Sequence, residues 1–389
     1  MKDLSYITEG FTESVIREMT RVCDRLGGIN LAQGFPDFPP SVDLEYAALE
    51  AIRNHRHQYP VTYGEPELRE AISTKARTFN GLDYDPEEEI TVTCGATEAM
   101  LSSLLAMVNR GDEVVIFEPF YENYGPGTML AGAVPRFVSL YPPDWRYDED
   151  ELARAFNDRT KAIVINTPNN PTGKVFDREE LEAIAALCRK WDCYAITDEI
   201  YEHIVYDGAE HVSIAGLDGM RDRTVTINSV SKTYAVTGWR VGWAIAAAPI
   251  TKEIRKVHDF ATVGAPTPLQ HASAHALSRF PPEYYAGMLD AYAKRRDLLM
   301  EVLQECGFAA SAPAGAYYVI AGTDGIAWEP RAPKQDFSLW LLDKAGVATV
   351  PGRAFYSTPG KGENEVRFCF SKLLETLEGT RARLRSTFS

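Results

Sequence analysis

Three stretches of this sequence hold residue types that chemistry requires, and each directly follows a short apolar run. Ala162-Ile163-Val164-Ile165 leads into Asn166-Thr167-Pro168-Asn169-Asn170-Pro171-Thr172-Gly173, a turn fixed by prolines and glycine that offers amide donors. Tyr194-Ala195-Ile196-Thr197 leads into Asp198-Glu199-Ile200-Tyr201. Thr224-Val225-Thr226-Ile227 leads into Asn228-Ser229-Val230-Ser231-Lys232, with Thr237-Gly238-Trp239-Arg240 close behind. Taken singly these are ordinary features: a turn, a helix cap, a surface lysine. Their placement on successive strand ends changes the weight, because ligands of open α/β sheets bind beyond the carboxyl ends of the strands.

The combination matches one chemical need: a lysine to form an imine, a carboxylate to hold a ring nitrogen protonated, and donors for a phosphate. Lys232, near Arg240 and any cationic ring, is expected to have a lowered amine pKa and so to be a usable nucleophile. Asp198 can pair with a pyridine nitrogen and keep the ring an electron sink, as in pyridoxal phosphate sites. Ser229 and Arg240 flank the lysine and can hold the phosphate, the arginine through its planar fork. Gly95-Ala96-Thr97 lies between a strand and its helix, where free backbone N–H groups bind anions.

The elements that must position these residues follow from hydrophobic periodicity. From about residue 90, β-branched runs at 90–93, 113–117, 162–165, 194–197, 224–227 and 241–245 alternate with helical stretches. Such runs are apolar on both faces, which predicts a mainly parallel sheet covered by helices on both sides. Periodicity leaves open whether the last run is antiparallel. After about residue 280 the pattern becomes that of a smaller α+β unit: a long helix from Pro281-Pro282 to Cys306, strands at 316–320 and 366–370, a helix around 337–342 and a final helix from Leu373. The first 45 residues lack the alternation and are read as an arm.

Composition bounds the function. The 389 residues carry 40 basic and 55 acidic side chains, a formal charge of −15. No basic stripe is present to attract nucleic acid or an anionic membrane, and no run of 18 apolar residues occurs. The N-terminus has no apolar signal core, which points to the cytoplasm. Six scattered cysteines without C-x-x-C read as small hydrophobes in a reducing compartment. His271 and His275 can share a helix face but have no third ligand in view, so no metal site is assigned. Gly125-Pro126-Gly127 with Gly132 has the wrong spacing for a dinucleotide fingerprint, which argues against a nucleotide-dependent oxidoreductase.

The segment Ser229-Val230-Ser231-Lys232-Thr233-Tyr234-Ala235-Val236-Thr237-Gly238-Trp239-Arg240-Val241-Gly242 satisfies every position of the lysine-site pattern of the class I/II pyridoxal-phosphate aminotransferases. The chain resembles that family over nearly its whole length, from Asn30-Leu31-Ala32-Gln33-Gly34-Phe35-Pro36-Asp37-Phe38 to Val366-Arg367-Phe368-Cys369-Phe370. It looks most similar to the kynurenine, glutamine and methionine aminotransferase branch. The resemblance implies fold type I: a large domain over 46–285 with a mainly parallel seven-stranded sheet, a small domain over 286–389, and residues 1–45 as an arm contributing to the small domain. It implies that Lys232 is the Schiff-base lysine and proton carrier, that Asp198 holds the ring nitrogen, and that Asn170 and Tyr201 bond the ring hydroxyl. Tyr121 would stack on the ring, and Ser229, Arg240, Ala96 and Thr97 would hold the phosphate. Arg367, with Asn170 and the backbone of Gly34, would clamp the substrate α-carboxylate. Tyr59 would reach the phosphate of a neighbouring subunit, which implies a homodimer.

Aspartate-selective members use a partner-chain arginine or a lysine beside the phosphate loop. Here 257–278 contains no Arg or Lys, and the loop position is Thr97. The expected donors are therefore amino acids with aromatic, thioether or amide side chains, passing the amino group to a 2-oxo acid by ping-pong kinetics. Tyr63, Tyr124, Phe355, Tyr356, Phe35 and Phe38 are candidate linings of that pocket. A cysteine-conjugate β-lyase and an aspartate aminotransferase are the alternatives on the same fold. A non-catalytic regulator is disfavoured because Lys232, Asp198 and Arg367 are all kept.

Overall fold

The structure is a computed structural model that describes residues 4–330 and 335–388. Its centre is an eight-stranded sheet in the order Ile90–Thr93, Gly242–Ile245, Thr224–Ser229, Tyr194–Asp198, Thr160–Asn166, Glu113–Glu118, Val134–Tyr141, Arg146–Tyr147. Gly242–Ile245 runs antiparallel to both of its neighbours, and the two-residue edge strand is antiparallel to Val134–Tyr141. The other pairings are parallel. Seven strands were expected; the eighth is only a short ribbon added to the edge. The strand Val134–Tyr141 is hidden in the sequence because Pro135, Arg136 and Ser139 break its apolar run, as befits a strand half-exposed near the sheet edge.

Both faces of the sheet are buried, with strict alternation. Val114 and Ile116 face one side with Val164, Ile196 and Ile227, under Ala99 and Leu104 of the helix Ala96–Met107. Val115 and Phe117 face the other with Ile163, Ile165 and Ala195, under Leu181 and Ile184 of the helix Arg178–Lys190. That helix is started by a reciprocal cap between Asp177 and Glu180. Period-two alternation with both sets apolar is what a helix-covered sheet demands.

A second, antiparallel sheet joins Ala309–Ala310, Tyr318–Gly322, Glu365–Cys369 and Val350–Pro351. The arm meets this part of the chain: Ile29–Asn30 pairs in parallel with Val347–Ala348, and Leu31 lies in the same core as Val347, Phe368 and Leu377. The expected boundaries at 45/46 and 285/286 fall inside the continuous helices Val42–Arg53 and Pro282–Glu305. A change in sequence pattern marks a change of packing neighbours and need not break the backbone. All six cysteines are unpaired, five of them buried. Among the described residues no helix is long and apolar enough to cross a membrane.

Candidate active site

The carboxyl ends of the central strands open into a cleft of about 430 Å³ roofed by the arm. Eleven of the twelve residues singled out from the sequence line it: Gly34, Ala96, Thr97, Tyr121, Asn170, Asp198, Tyr201, Ser229, Lys232, Arg240 and Arg367. The twelfth, Tyr59, is 83% exposed and lies outside the cleft of its own chain.

Asp198 ends the strand Tyr194–Asp198 in the middle of the sheet. Its carboxylate accepts a 2.7 Å hydrogen bond from the Tyr124 hydroxyl. The Asn166 amide donates to the Asp198 carbonyl at 2.9 Å and accepts from the Asn170 N–H at 2.7 Å, tying two strand ends together. Burial pushes the Asp198 pKa up to about 6, and the Tyr124 bond opposes that rise. A buried carboxylate of this kind calls for a cation.

Lys232 is enclosed between the rings of Tyr201 and Tyr317, 5.7 and 5.6 Å from its Nζ, and donates to the Gly34 carbonyl at 3.1 Å. Its pKa is lowered to about 8. The lowering was expected from nearby cations, but burial is the first cause; Cys369 and Asp198 oppose it, and Arg240 and Arg367 add smaller contributions. Tyr201 is buried with its hydroxyl 3.0 Å from that of Tyr318.

The turn expected to cradle a phosphate is built by backbone. Gly95 at φ +80° caps the helix Ala96–Met107, leaving the first-turn N–H groups of Ala96 and Thr97 on the cleft. A Cβ on Gly95 would stand 2.5 Å from Arg240 Nη2, so only glycine lets the guanidinium lie over this turn. Arg240 is held there by bonds to the carbonyls of Thr237 at 3.0 Å and Cys94 at 3.3 Å. A helix N-terminus of twelve residues under an arginine suits a dianion.

Arg367, fully buried on the strand Glu365–Cys369, donates through Nη1 to Asn170 Oδ1 at 2.7 Å and through Nη2 to the Ala32 carbonyl. The rings of Tyr318 and Phe355 lie 4.3 and 4.9 Å from its Cζ. Its buried Nε has no acceptor among the described residues, so the guanidinium keeps donor capacity for a ligand. The nearby glycine Gly34 has a steric reason: a Cβ there would fall 1.7 Å from the Tyr318 hydroxyl.

The expected aromatic lining is mostly elsewhere. Tyr63 bonds Glu87 at 2.7 Å and lies under Arg255. Phe38 packs on Tyr292, and Tyr356 bonds Glu365 at 3.0 Å. Phe355 is buried behind Arg367, leaving Phe35 and Tyr124 of that group on the cleft. Conversely, sequence reasoning passed over Tyr317 and Tyr318, which frame Lys232 and Arg367, and saw Tyr124 only as a pocket wall. The spacing Tyr121-x-x-Tyr124 hints at one helical face, but only the fold names Asp198 as the partner. Glu199, Glu202 and His211 also converge. Their carboxylates already accept from Thr197, Ser213, Asn80 and Asn228 and pair with His211 and Lys75, so both carboxylates are satisfied by the protein.

A buried acid, a partly buried amine and a cradle for an anion on one cleft fit pyridoxal phosphate: a cationic ring nitrogen for Asp198, an aldehyde for Lys232, a phosphate for the Gly95–Arg240 cradle. The displaced pKa values predict how the stripped protein responds to pH. Asp198 is raised from 3.8 to about 6, so between those values the folded chain holds more protons and this group's contribution to stability falls as pH rises. Lys232 is lowered from 10.5 to about 8, so between 8 and 10.5 the unfolded chain holds more protons and stability is recovered. Both charges are unfavourable together from about pH 6 to 8. At one fixed concentration, about 100 times its Kd at pH 7, the cofactor raises Tm by about 3 °C for a chain of this length. The gain is expected to be largest in that window; thermal scans showing a larger gain at pH 4.5 or 10 contradict this.

Residues 27–379 match the family model for aminotransferase class I and II. The human kynurenine–oxoglutarate transaminase 1 is 38% identical, over 95% of this chain and 94% of that protein. The methionine aminotransferase of Escherichia coli is 35% identical over 96% of this chain and 95% of that protein. The solved N-succinyldiaminopimelate aminotransferase of Mycobacterium tuberculosis superposes with a TM-score of 0.94 at 38% identity, covering 99% of this chain and all of that one.

Proposed function

This chain belongs to the class I and II aminotransferases, pyridoxal-phosphate-dependent transaminases of fold type I, and from that premise we propose which residues do the work and on what substrates. Bound pyridoxal phosphate supplies the electron sink that makes the α-proton of an amino acid labile. Lys232 carries the cofactor, then acts as the base that takes the Cα proton and the acid that returns it; an amine with pKa about 8 is matched to both roles near neutral pH. Asp198 holds the ring nitrogen cationic, with Tyr124 and Asn166 fixing it. Asn170 and Tyr201 bond the ring hydroxyl, and Tyr121 lies on the ring. Ser229, Arg240, Ala96 and Thr97 hold the phosphate. Arg367, anchored by Asn170, takes the α-carboxylate and turns the Cα–H bond toward the face where Lys232 sits.

The observation that carries this reading is Asp198 and Lys232 in one buried cleft, each shifted toward its neutral form, beside an anion cradle. For the donor we favour aromatic, thioether or amide side chains, supported by Ile16, Phe35, Tyr121 and Tyr318 on the cleft and by the names of the kynurenine and methionine relatives. A panel of amino acids against several oxo acids tests it; a tenfold preference for aspartate as donor refutes it. We further read the arm and the C-terminal part as one small unit, a reading supported by the Ile29–Asn30 pairing, and the active protein as a homodimer. Exposed Tyr59, Val61 and Phe260 support the dimer by their apolar character. Light scattering on the eluting protein checks it: a fully active monomer contradicts it.

A further inference from the structure

The turn that presents Ala96 and Thr97 to the cleft has a carboxylate behind it. Glu98, the next residue, lies in the first turn of the helix Ala96–Met107, and its Oε2 accepts from the backbone N–H of Cys94 on the other side of Gly95. That bond straps the turn, while Arg240 holds it through the Cys94 carbonyl at 3.3 Å. A carboxylate suits a helix N-terminus when nothing else is there. This N-terminus is expected to receive a phosphate, and two anions then compete for one set of N–H groups.

The charge of Glu98 is met by His258, whose side chain is 1% exposed on the helix Ala248–Ala261. Its Nδ1 lies 2.5 Å from Glu98 Oε1 and its Nε2 lies 2.6 Å from the Thr62 carbonyl. A carbonyl only accepts, and both Glu98 oxygens already act as acceptors, Oε1 from the Thr262 hydroxyl at 3.1 Å and Oε2 from Cys94. Both ring nitrogens therefore face acceptors and carry protons, which makes the ring an imidazolium. Burial works to lower the His258 pKa, but the Glu98 bond and charge, the Thr62 carbonyl and Asp259 outweigh it, and the net shift is upward. The ring is also fixed in place, because the segment carrying Thr62 is tied down: Thr267 Oγ1 donates to the Gln58 carbonyl at 2.7 Å, and a Cβ on Gly264 would stand 2.7 Å from the Pro60 ring.

Neither His258 nor Glu98 lines the cleft. We propose that His258 is a positioning residue for the cofactor phosphate: its imidazolium cancels the Glu98 charge behind the Gly95–Thr97 turn and pins that turn to residues 58–64. The strap is thereby kept without its electrostatic cost, and the N–H groups with Arg240 set the sign of the cradle. The inference rests on this turn being the phosphate site.

The test titrates pyridoxal phosphate, and pyridoxal as the analogue without phosphate, into the full chain stripped of cofactor, as wild type, His258→Gln, Glu98→Gln and the double variant. A buried carboxylate left without its counter-charge predicts that His258→Gln raises the Kd for pyridoxal phosphate about tenfold or more and that for pyridoxal less than about twofold. Adding Glu98→Gln to the same chain should bring the first Kd back to within about threefold of wild type, whereas two losses of packing alone would add. The double variant also serves where His258→Gln does not fold. In chain labelled with 15N-histidine, the imidazole signal present in wild type and lost in the double variant should be that of a ring protonated on both nitrogens at neutral pH. No weakening in His258→Gln, equal weakening for both ligands, no rescue by Glu98→Gln, or a neutral ring overturns the role of His258 and leaves the transaminase reading intact. A wild-type chain that binds pyridoxal phosphate no more tightly than pyridoxal overturns the phosphate site itself, and the inference with it.

Discussion

Lys232→Ala holoenzyme is expected to turn over at least about 10³-fold more slowly than the wild type, because it loses both the covalent attachment of the cofactor and the base at Cα. The residue sits where no other side chain can substitute. Tyr201 and Tyr317 flank it, but burial raises both phenols well above their usual pKa, so neither supplies a base near neutrality. The alanine side chain is smaller and apolar in a space that already disfavours charge, so the fold should be kept and Tm of the stripped variant should not fall. Reduction of wild-type holoenzyme with borohydride followed by peptide mass analysis should place the cofactor on Lys232. Undiminished turnover of the variant, or label on another lysine, would falsify the assignment.

The second large effect is expected at Asp198. Asp198→Asn keeps the shape and the possibility of a bond to Tyr124 but removes the buried charge that holds the ring nitrogen cationic. Turnover should fall by about 10²–10⁴-fold, with the loss in kcat, since electrostatic stabilisation of developing charge is what disappears. The pH response separates this role from a structural one. The wild-type carboxyl, raised to about 6 by burial before the cofactor binds, makes cofactor affinity weaken as pH falls through that value. Asp198→Asn should bind weakly at all pH values and lose that dependence. A variant with wild-type kcat, or one that keeps the acid-side loss of cofactor affinity, contradicts the assignment.

How much of this was legible before the fold was known depended on whether the signal was local. The strand runs ending at Ile165, Thr197 and Ile227 are local, because a β-branched apolar stretch buried on both faces has one reading. The segment from Ser229 to Gly242 carries a lysine, a serine and an arginine on one connection between neighbouring strands, so its residues reach the cleft together. Arg367 was placed through the matching strand around it. Val134–Tyr141 escaped because an edge-side strand tolerates the proline and charges that a central one excludes.

What the sequence by itself determined was which residue types could do the chemistry: a lysine, an acid and candidate anion donors on adjacent strand ends, and the arginine we propose for the α-carboxylate, all written in short contiguous stretches. What only the tertiary structure decided was the environment of that chemistry. Burial outweighs the neighbouring cations in lowering the Lys232 pKa, Tyr124 reaches Asp198 across 74 positions of sequence, and Tyr63, Phe38 and Tyr356 turn away to other partners. Desolvation and through-space pairing depend on which distant segments close over a side chain, and that is fixed when the arm folds across the strand ends.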